Sequence, residues 1–545
     1  MAVGSTLAPL APFAGHRVFL TAWPSSHPGP EGARVATGTG DTMAIAVAAA
    51  ADALASPPPF VADRLELDVV TSTEEGSLDD TSMPLRSIGL VGVLAARDGA
   101  PPGFVLPSEV LRRRLFHTGK EPGLDGERVR ALLAARAGIP ESALGAMRVE
   151  HFATAAYVES PDRTAALRVV RGMVERPSDV GVAALLAAAR RGAEYLARAV
   201  GAQGRYAYLV HPADGRVDGS YGWLRHAGAT YALFEAYDEF QTSEFLEAGR
   251  RALGYLRRRL VNDAATQGLA LSDVSDEEEQ KVGGAGLALV AWAQYAAATG
   301  DRSDLATMGS LARFILGRQY PDGHYRSNAD VDRETGSHRK TEPVYYTGEA
   351  TLGLLRLYAI DPQPSYLDAA RRAAAWVIDV RDGKATDDTQ EHDHWMAYAL
   401  HDLYRVSRND AYADHTFAIV RAIAKKQYEP GRAPSPDWVG AFFEGQSTPA
   451  ATRLEAYDSA IALSRFAGKS DAWLLAPARE VAAFTIGNQF DEPSDYWLPR
   501  PAAIDGGVRE GLYGEDVRID YVQHATSAWI HLARLLRSES VGAAQ

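Results

Sequence analysis

GWLRHAGATYALFEAYDEFQTSEFLEAGRRALGYLRRRL, residues 222–260, joins two helical signatures of different kinds. The first, residues 222–240, is rich in Gly, Ala and aromatics and apolar around most of its wheel, as a helix enclosed on all sides must be. The second, residues 243–260, has one apolar stripe and a charged back, the pattern of a helix facing solvent on one side. The connection QTS after Phe240, whose serine already opens the second helix, is short enough to make the two helices antiparallel neighbours.

The pairing recurs along the chain. The one-stripe kind includes VAALLAAARRGAEYLARAV (182–200), DLATMGSLARFILGRQ (304–319), SYLDAARRAAAWVIDV (365–380), AYADHTFAIVRAIAKKQ (411–427) and AWLLAPAREVAAFTIGNQ (472–489). The enclosed kind includes GGAGLALVAWAQYAAATG (283–300), TGEATLGLLRLYAI (347–360), DHWMAYALHDLYRVSRN (393–409), TPAATRLEAYDSAIALSRFAG (448–468) and DYVQHATSAWIHLARLLR (520–537). The two kinds interleave strictly, as six pairs spaced by roughly 60 residues, which is the mark of a repeat architecture. Six such pairs close into an (α/α)6 toroid with the enclosed helices inside; an open superhelix of the same pairs is the alternative. This body covers residues 180–540.

Residues 1–165 read differently, as a smaller α+β domain. HRVFLTAW and RLELDVVTS are strand-like, DTMAIAVAAAADALAS is a helix capped by Asp41 or Thr42, and IGLVGVLAARDGAPPGFVLPSEVL is a hairpin turning at RDGAPP. A helix RVRALLAARAGI and a closing strand MRVEHFATAAYVE follow. The expected fold is therefore mainly α, an (α/α)6 toroid preceded by a smaller α+β domain.

Composition removes several functions. The chain has no cysteine, so disulfides, thiolate nucleophiles and Cys-ligated zinc or iron–sulfur clusters are excluded. A net charge of -14 argues against a nucleic-acid surface. No run approaches the ~18 uncharged apolar residues of a membrane span, and the N-terminus lacks a basic start followed by an apolar run, so a cytoplasmic location is expected unless a signal peptide has been removed. P-loop, dinucleotide and Gly-x-Ser-x-Gly motifs are absent. The acidic run DVSDEEEQK reads as a solvated loop. No metal and no cofactor is expected; the oligomeric state is left open.

Connections from inner to outer helices are short, whereas those from outer to inner helices are mostly long, the longest at 320–344 and 490–517. Long loops concentrate function, and all of these reach the N-terminal ends of inner helices, whose partial positive charge favours anionic or hydroxyl-rich ligands. Polar residues within a turn of those ends are the candidates: Trp223, Arg225 and His226; Tyr345, Tyr346 and Glu349; His392, Asp393, His394 and Trp395; Glu444, Arg453 and Glu455; Arg518, Asp520, Tyr521, Gln523 and His524. His392 and His394 point roughly 200° apart on a helix, so they do not share a metal. Burying so many charged and imidazole groups without purpose would be costly. Carboxylates, Arg, His and flat aromatic faces around one cavity suit a small-molecule or oligosaccharide ligand.

Two resemblances add to this reading. The hairpin, Leu-Pro, Ala-Gly-terminated helix and final strand ending in Glu of the first 150 residues resemble the AMMECR1-like domain, although that family's Leu-Arg-Gly-Cys-Ile-Gly stretch is missing and its chemistry does not carry over. The six-pair pattern, the turns QYPDGHY and NQFDEPSDYW, and the starts GEDVRIDYVQHATSAW and DGSYGWLRHAGATYAL resemble the (α/α)6 sugar enzymes: six-hairpin glycosidases, polysaccharide lyases and the N-acylglucosamine 2-epimerase group. Resemblance to the hydrolases implies Glu349 as general acid with Asp393 or Glu444 as base. Resemblance to the epimerases implies proton exchange by two histidines, or a histidine and a tyrosine, with His226, His394 and His524 equivalent in role. The expected activity is glycoside hydrolysis, with epimerisation, a lyase reaction, or non-catalytic binding of a glycan or peptide as alternatives.

Overall fold

A computed structural model of the chain describes residues 15–26, 29–55, 61–79, 81–175, 180–271, 280–326 and 343–542. Residues 273–279 of the acidic run DVSDEEEQK and most of the 320–344 connection lie outside the described residues, as do the first fourteen residues.

The N-terminal region is built on one antiparallel sheet of β1 (His16–Pro24), β2 (Arg34–Gly40), β3 (Ala62–Glu75), β4 (Val91–Ala96) and β5 (Gly103–Val105), with later strands joining after β6 (Phe116–His117) and β7 (Gly123–Leu124) have formed a separate pair. These later strands are β8 (Arg148–Glu159), β9 (Ala166–Val170) and β10 (Met173–Val174), and the order is β10-β9-β8-β3-β1-β2. The long strand β8 pairs with β3 on one side and on the other with β4 at its start and β9 at its end. The Asp-Gly hairpin joins β4 to β5, with Val93 opposite Val105. Three helices pack on this sheet: α1 (Met43–Leu54), α2 (Pro107–Arg112) and α3 (Gly126–Ala137). Thr42 caps α1 by accepting from the Ile45 amide, and the helix buries Ala46 and Ala50 against Val18 and Leu20.

The rest is helical. The outer helices are α4 (Val182–Ala199), α6 (Ser243–Arg257), α8 (Leu305–Gly317), α10 (Pro364–Trp376), α12 (Asp410–Lys426) and α14 (Ala472–Gly487). The inner ones are α5 (Trp223–Phe240), α7 (Val282–Thr299), α9 (Val344–Tyr358), α11 (His394–Ser407), α13 (Ser447–Phe466) and α16 (Ile519–Gly542), the last preceded by a single turn α15 (Pro501–Ile504). Each inner helix touches the next, and α16 returns to α5 and α4. The body is therefore a closed (α/α)6 toroid, not an open superhelix.

A glutamine after three of the outer helices ties each to the next one around. Gln319 donates to the Ala369 carbonyl of α10, Gln427 to Pro477 of α14, and Gln489 to Ala188 of α4. Each bond reaches a carbonyl inside a neighbouring outer helix, whose oxygen has a second lone pair beyond the one its own helix uses. Inside the ring, α7 and α9 approach closely because glycine stands at the contact: a methyl on Gly286 would lie 2.5 Å from the Glu349 carbonyl carbon and oxygen.

The 490–517 connection does less at the mouth than its length suggests. Tyr496 and Trp497 are buried against the N-terminal region, where Arg112 bonds Glu66 (2.8 Å) and the Tyr496 hydroxyl (2.6 Å) and lies between the Trp23 and Trp497 rings. Trp23, Val158 and Val169 of the sheet belong to the same apolar cluster as the toroid core. Much of this loop anchors the two parts of the chain to each other.

Candidate functional site

A cavity of about 390 Å³ opens at the N-terminal ends of the inner helices, within the range of small-molecule sites. All six inner helices reach it. Arg225 comes from α5, Leu287 from α7, Tyr345 and Glu349 from α9, His394 and Trp395 from α11, Arg453 from α13, and Asp520, Gln523 and His524 from α16.

Glu349 is 2% exposed and its Oε2 has no hydrogen-bond partner among the described residues. Burial, with the Asp393 charge nearby, pushes its carboxyl well above the ordinary carboxylate range, against the pull of Arg225. Both influences favour its neutral, protonated form. Space for it comes from α7, where a methyl at Gly283 would lie 1.9 Å from Oε2.

Asp520 is held the opposite way. Burial works against its charge, but two hydrogen bonds from Arg518 (2.5 and 2.9 Å) and the neighbouring Arg225 (3.1 Å) outweigh it and lower its pKa. The cavity thus carries two carboxyls biased in opposite directions, Glu349 toward its protonated form and Asp520 toward its ionised one.

Opposite chemistry gathers between α11, α13 and α16. His524 Nδ1 lies 2.8 Å from Glu455 Oε2, and His394 Nε2 lies 3.6 Å from the same oxygen. The two imidazoles are in edge contact, with centroids 5.3 Å apart. Among the described residues, neither nitrogen of His394 has a hydrogen-bond partner. Burial, then the proximity of His524 and Arg453, keeps His394 well below the usual histidine range, so it is neutral. Burial raises the Glu455 carboxyl despite the attraction of His524. His394, Glu455 and His524 offer ligand atoms all within 4.8 Å of one another, and they are the residues that could hold a metal ion.

Among the described residues, several buried polar atoms at or beside the cavity have no partner: Glu349 Oε2, both His394 nitrogens, Thr448 Oγ1, Arg453 Nε and Glu455 Oε1. Native interiors satisfy such groups. A site that leaves several open around one cavity is organised for a ligand's hydrogen bonds. Arg453 lines the cavity with a guanidinium whose pKa burial lowers to about 10.

The remaining candidates lie elsewhere. His226 is fully buried away from the cavity; it donates from Nε2 to the Ala252 carbonyl (3.0 Å) and accepts at Nδ1 from the Tyr221 hydroxyl (2.6 Å). Burial lowers its pKa to about 3, and it is a satisfied core residue. Trp223 packs beside it against Tyr221 and Tyr255. Asp393 caps α11 through Oδ1, accepting from the Met396 amide (3.0 Å), and pairs through Oδ2 with Arg381 (2.8 Å), so both oxygens are occupied. Burial pushes its pKa up against that pairing. His392, one residue before the cap, does not line the cavity, and burial takes it down to about 4. Tyr346 packs beside Gly283, Tyr521 lies under the Arg518 guanidinium, and Arg518 itself reaches the site through Asp520. Glu444 is exposed and lines a neighbouring cleft. Phe443, absent from the sequence-based candidates, stands at the cavity mouth. The one signal that could have found it is its place in AFFEGQ, immediately before an inner helix.

Two comparisons found nothing: no family profile matches this chain, and no curated protein matches it. Among solved structures it is similar to a glycoside hydrolase family 76 mannosidase from Bacteroides thetaiotaomicron, with 13% identity over 65% of this chain and 99% of that one and a TM-score of 0.48. A D-mannose isomerase gives 13% identity over 66% and 97% with a TM-score of 0.47. A sugar epimerase from a ruminal bacterium gives 12% over 64% and 98% with a TM-score of 0.48. Identity this low and superposition this loose say nothing of what this chain binds or does.

Proposed function

We propose that the protein is a carbohydrate-active enzyme whose toroid cavity moves a proton between adjacent carbons of an open-chain sugar, an aldose–ketose isomerisation. The observation that carries this reading is His394, a neutral imidazole in the cavity wall with both nitrogens unpartnered, set against His524 and its carboxylate partner Glu455.

In the proposed reaction His394 takes the proton from C2 while Glu349 gives its own proton to the carbonyl oxygen O1. The product is an enediol, an imidazolium and a carboxylate. The imidazolium then returns the proton to C1, and Glu349 recovers one from the hydroxyl on C2, leaving the ketose and both groups as they began. General acid–base assistance of this kind contributes about 10²–10⁴-fold at each group. His524, oriented by Glu455, holds the other side of His394, and Arg225, Arg453 and Gln523 supply donors for sugar hydroxyls. Contact between the two imidazoles supports isomerisation over epimerisation, because a pair lying on one wall serves one face of the substrate.

Glycoside hydrolysis is the second reading. It is favoured by the opposite protonation of Glu349 and Asp520, the arrangement that lets one carboxyl act as acid and another as an anion. It is weakened by the positions of its expected bases: Asp393 is doubly engaged, and Glu444 lies outside the cavity. Glu349, paired to no arginine among the described residues, argues against a purely binding role.

Proton NMR in D2O over a panel of aldoses and ketoses tests the reading. Interconversion with solvent deuterium entering at C1 or C2 is expected, lost in His394→Asn and Glu349→Gln. Release of new reducing ends without deuterium incorporation would move the assignment to hydrolysis, and full activity of His394→Asn would end the isomerase reading.

A further inference from the structure

A second cavity, of about 260 Å³, lies beside the first and is walled on one side by the N-terminal region. Arg114, Phe116 and Thr118 come from that region, just after α2 and along β6, and face Glu510 and Tyr513 of the toroid's last long loop. Gln446 lines both cavities. The segment leading into α13 forms the sill between them, with Phe443 on the first cavity and Glu444 and Gly445 on the second.

Phe443 has two unusual properties. Its side chain is 57% exposed, and its backbone has φ of +48°, a conformation rare and strained for a bulky residue. The Arg453 guanidinium lies 4.8 Å from its ring, supporting the ring from the cavity side. Tyr345, 40% exposed, lines the same mouth. An exposed aromatic held in a strained conformation between two polar cavities fits an apolar flat partner, such as the underside of a sugar ring. Beyond it, Glu444, Gln446, Thr118 and the Arg114–Asp516 pair line the second cavity and offer donors and acceptors for hydroxyls.

We propose that the two cavities form one cleft and that the substrate is an oligosaccharide: its reducing-end unit occupies the first cavity, the next stacks on Phe443, and a further unit lies against the N-terminal region. This deepens the isomerase reading and rests on it for the direction in which the chain enters. It also gives the N-terminal region a task, as one wall of a distal subsite.

Isothermal titration of the full chain with glucose and mannose and their α- and β-linked di- to tetrasaccharides is the test. One linkage series is expected to bind at least 10-fold more tightly at three units than at one. Thr118→Trp, which fills the second cavity from an exposed position, should abolish that gain while leaving monosaccharide Kd within 2-fold, and Phe443→Ala should weaken every member from two units upward. Monosaccharide binding with no dependence on length, or a length gain that survives Thr118→Trp, overturns the inference while leaving the isomerase reading in place. A length gain without isomerisation keeps the cleft and removes the isomerase. A chain that binds no saccharide of any length removes both.

Discussion

Glu349→Gln should abolish the proposed activity and stabilise the protein. Glutamine matches the protonated carboxyl in shape and has no charge to lose, so packing beside Gly283 is preserved. In the unfolded chain Glu349 ionises near its ordinary value of about 4.3, whereas in the folded chain burial holds its proton to much higher pH. A group whose folded pKa is raised favours folding fully below the unfolded pKa and loses that contribution as pH rises. Between those two values the wild type therefore forfeits about 1.4 kcal/mol per pH unit. At pH 7 the ceiling is about 4 kcal/mol, and the Gln variant is free of it. With an unfolding entropy of about 2.1 cal/mol/K per residue, 545 residues convert that ceiling into a rise in Tm of about 3 to 4 °C. Thermal melts of both proteins from pH 4.5 to 8 should coincide at the acid end and diverge steadily with pH, while turnover falls by about 10²–10⁴-fold. Parallel melting curves at all pH values, or a wild type that is the more stable at pH 7.5, would refute the claim that this carboxyl is buried and protonated.

Three further outcomes follow from the same geometry. With His394 held well below and Glu349 well above their ordinary values, kcat/KM should be flat through neutrality, its acid limb lying below the unperturbed histidine value of about 6.5; a limb centred there would contradict the neutral His394. Turnover should survive EDTA, while Zn²⁺ or Co²⁺ should inhibit by occupying His394, Glu455 and His524, with Co²⁺ giving a visible absorption band; loss of activity on chelation would show a metal to be required. Gly286→Ala should destabilise by about 1–3 kcal/mol, because the new methyl meets backbone atoms of Glu349 and Ala350 at 2.5 to 2.6 Å, and a wild-type melting temperature would disprove the contact.

The architecture was legible because each helix pair repeats one physical distinction, enclosed against one-sided, and a period survives local noise. Helix starts were legible for a similar reason: Thr42 and Asp393 are capping residues and both cap. Which side chains meet was harder. His226 and His394 sit at the start of equivalent inner helices, yet His226 turns outward to the Ala252 carbonyl of α6 and His394 turns into the cavity. That rotation is set by packing of neighbouring helices and leaves no mark in local spacing. Asp393 looked available because its partner, Arg381, comes from the π-helical turn ending α10, twelve residues away. Phe443 was hidden because a left-handed backbone at a phenylalanine has no compositional signal; only the exposed ring reveals it.

Closure of the ring by α16 has a consequence for assembly. Until that helix docks, α4, α5 and α13 present apolar flanks to water, and Asp520, Gln523 and His524 are missing from the cavity. Joining α16 to α5 brings together segments about 290 residues apart, a contact whose loop-closure entropy must be met before it contributes anything. Eleven helices built in sequence order therefore make an adhesive half-product rather than a weak enzyme. The last helix acts as a keystone, and activity should emerge during synthesis or refolding in a single late step, with intermediates before it prone to association.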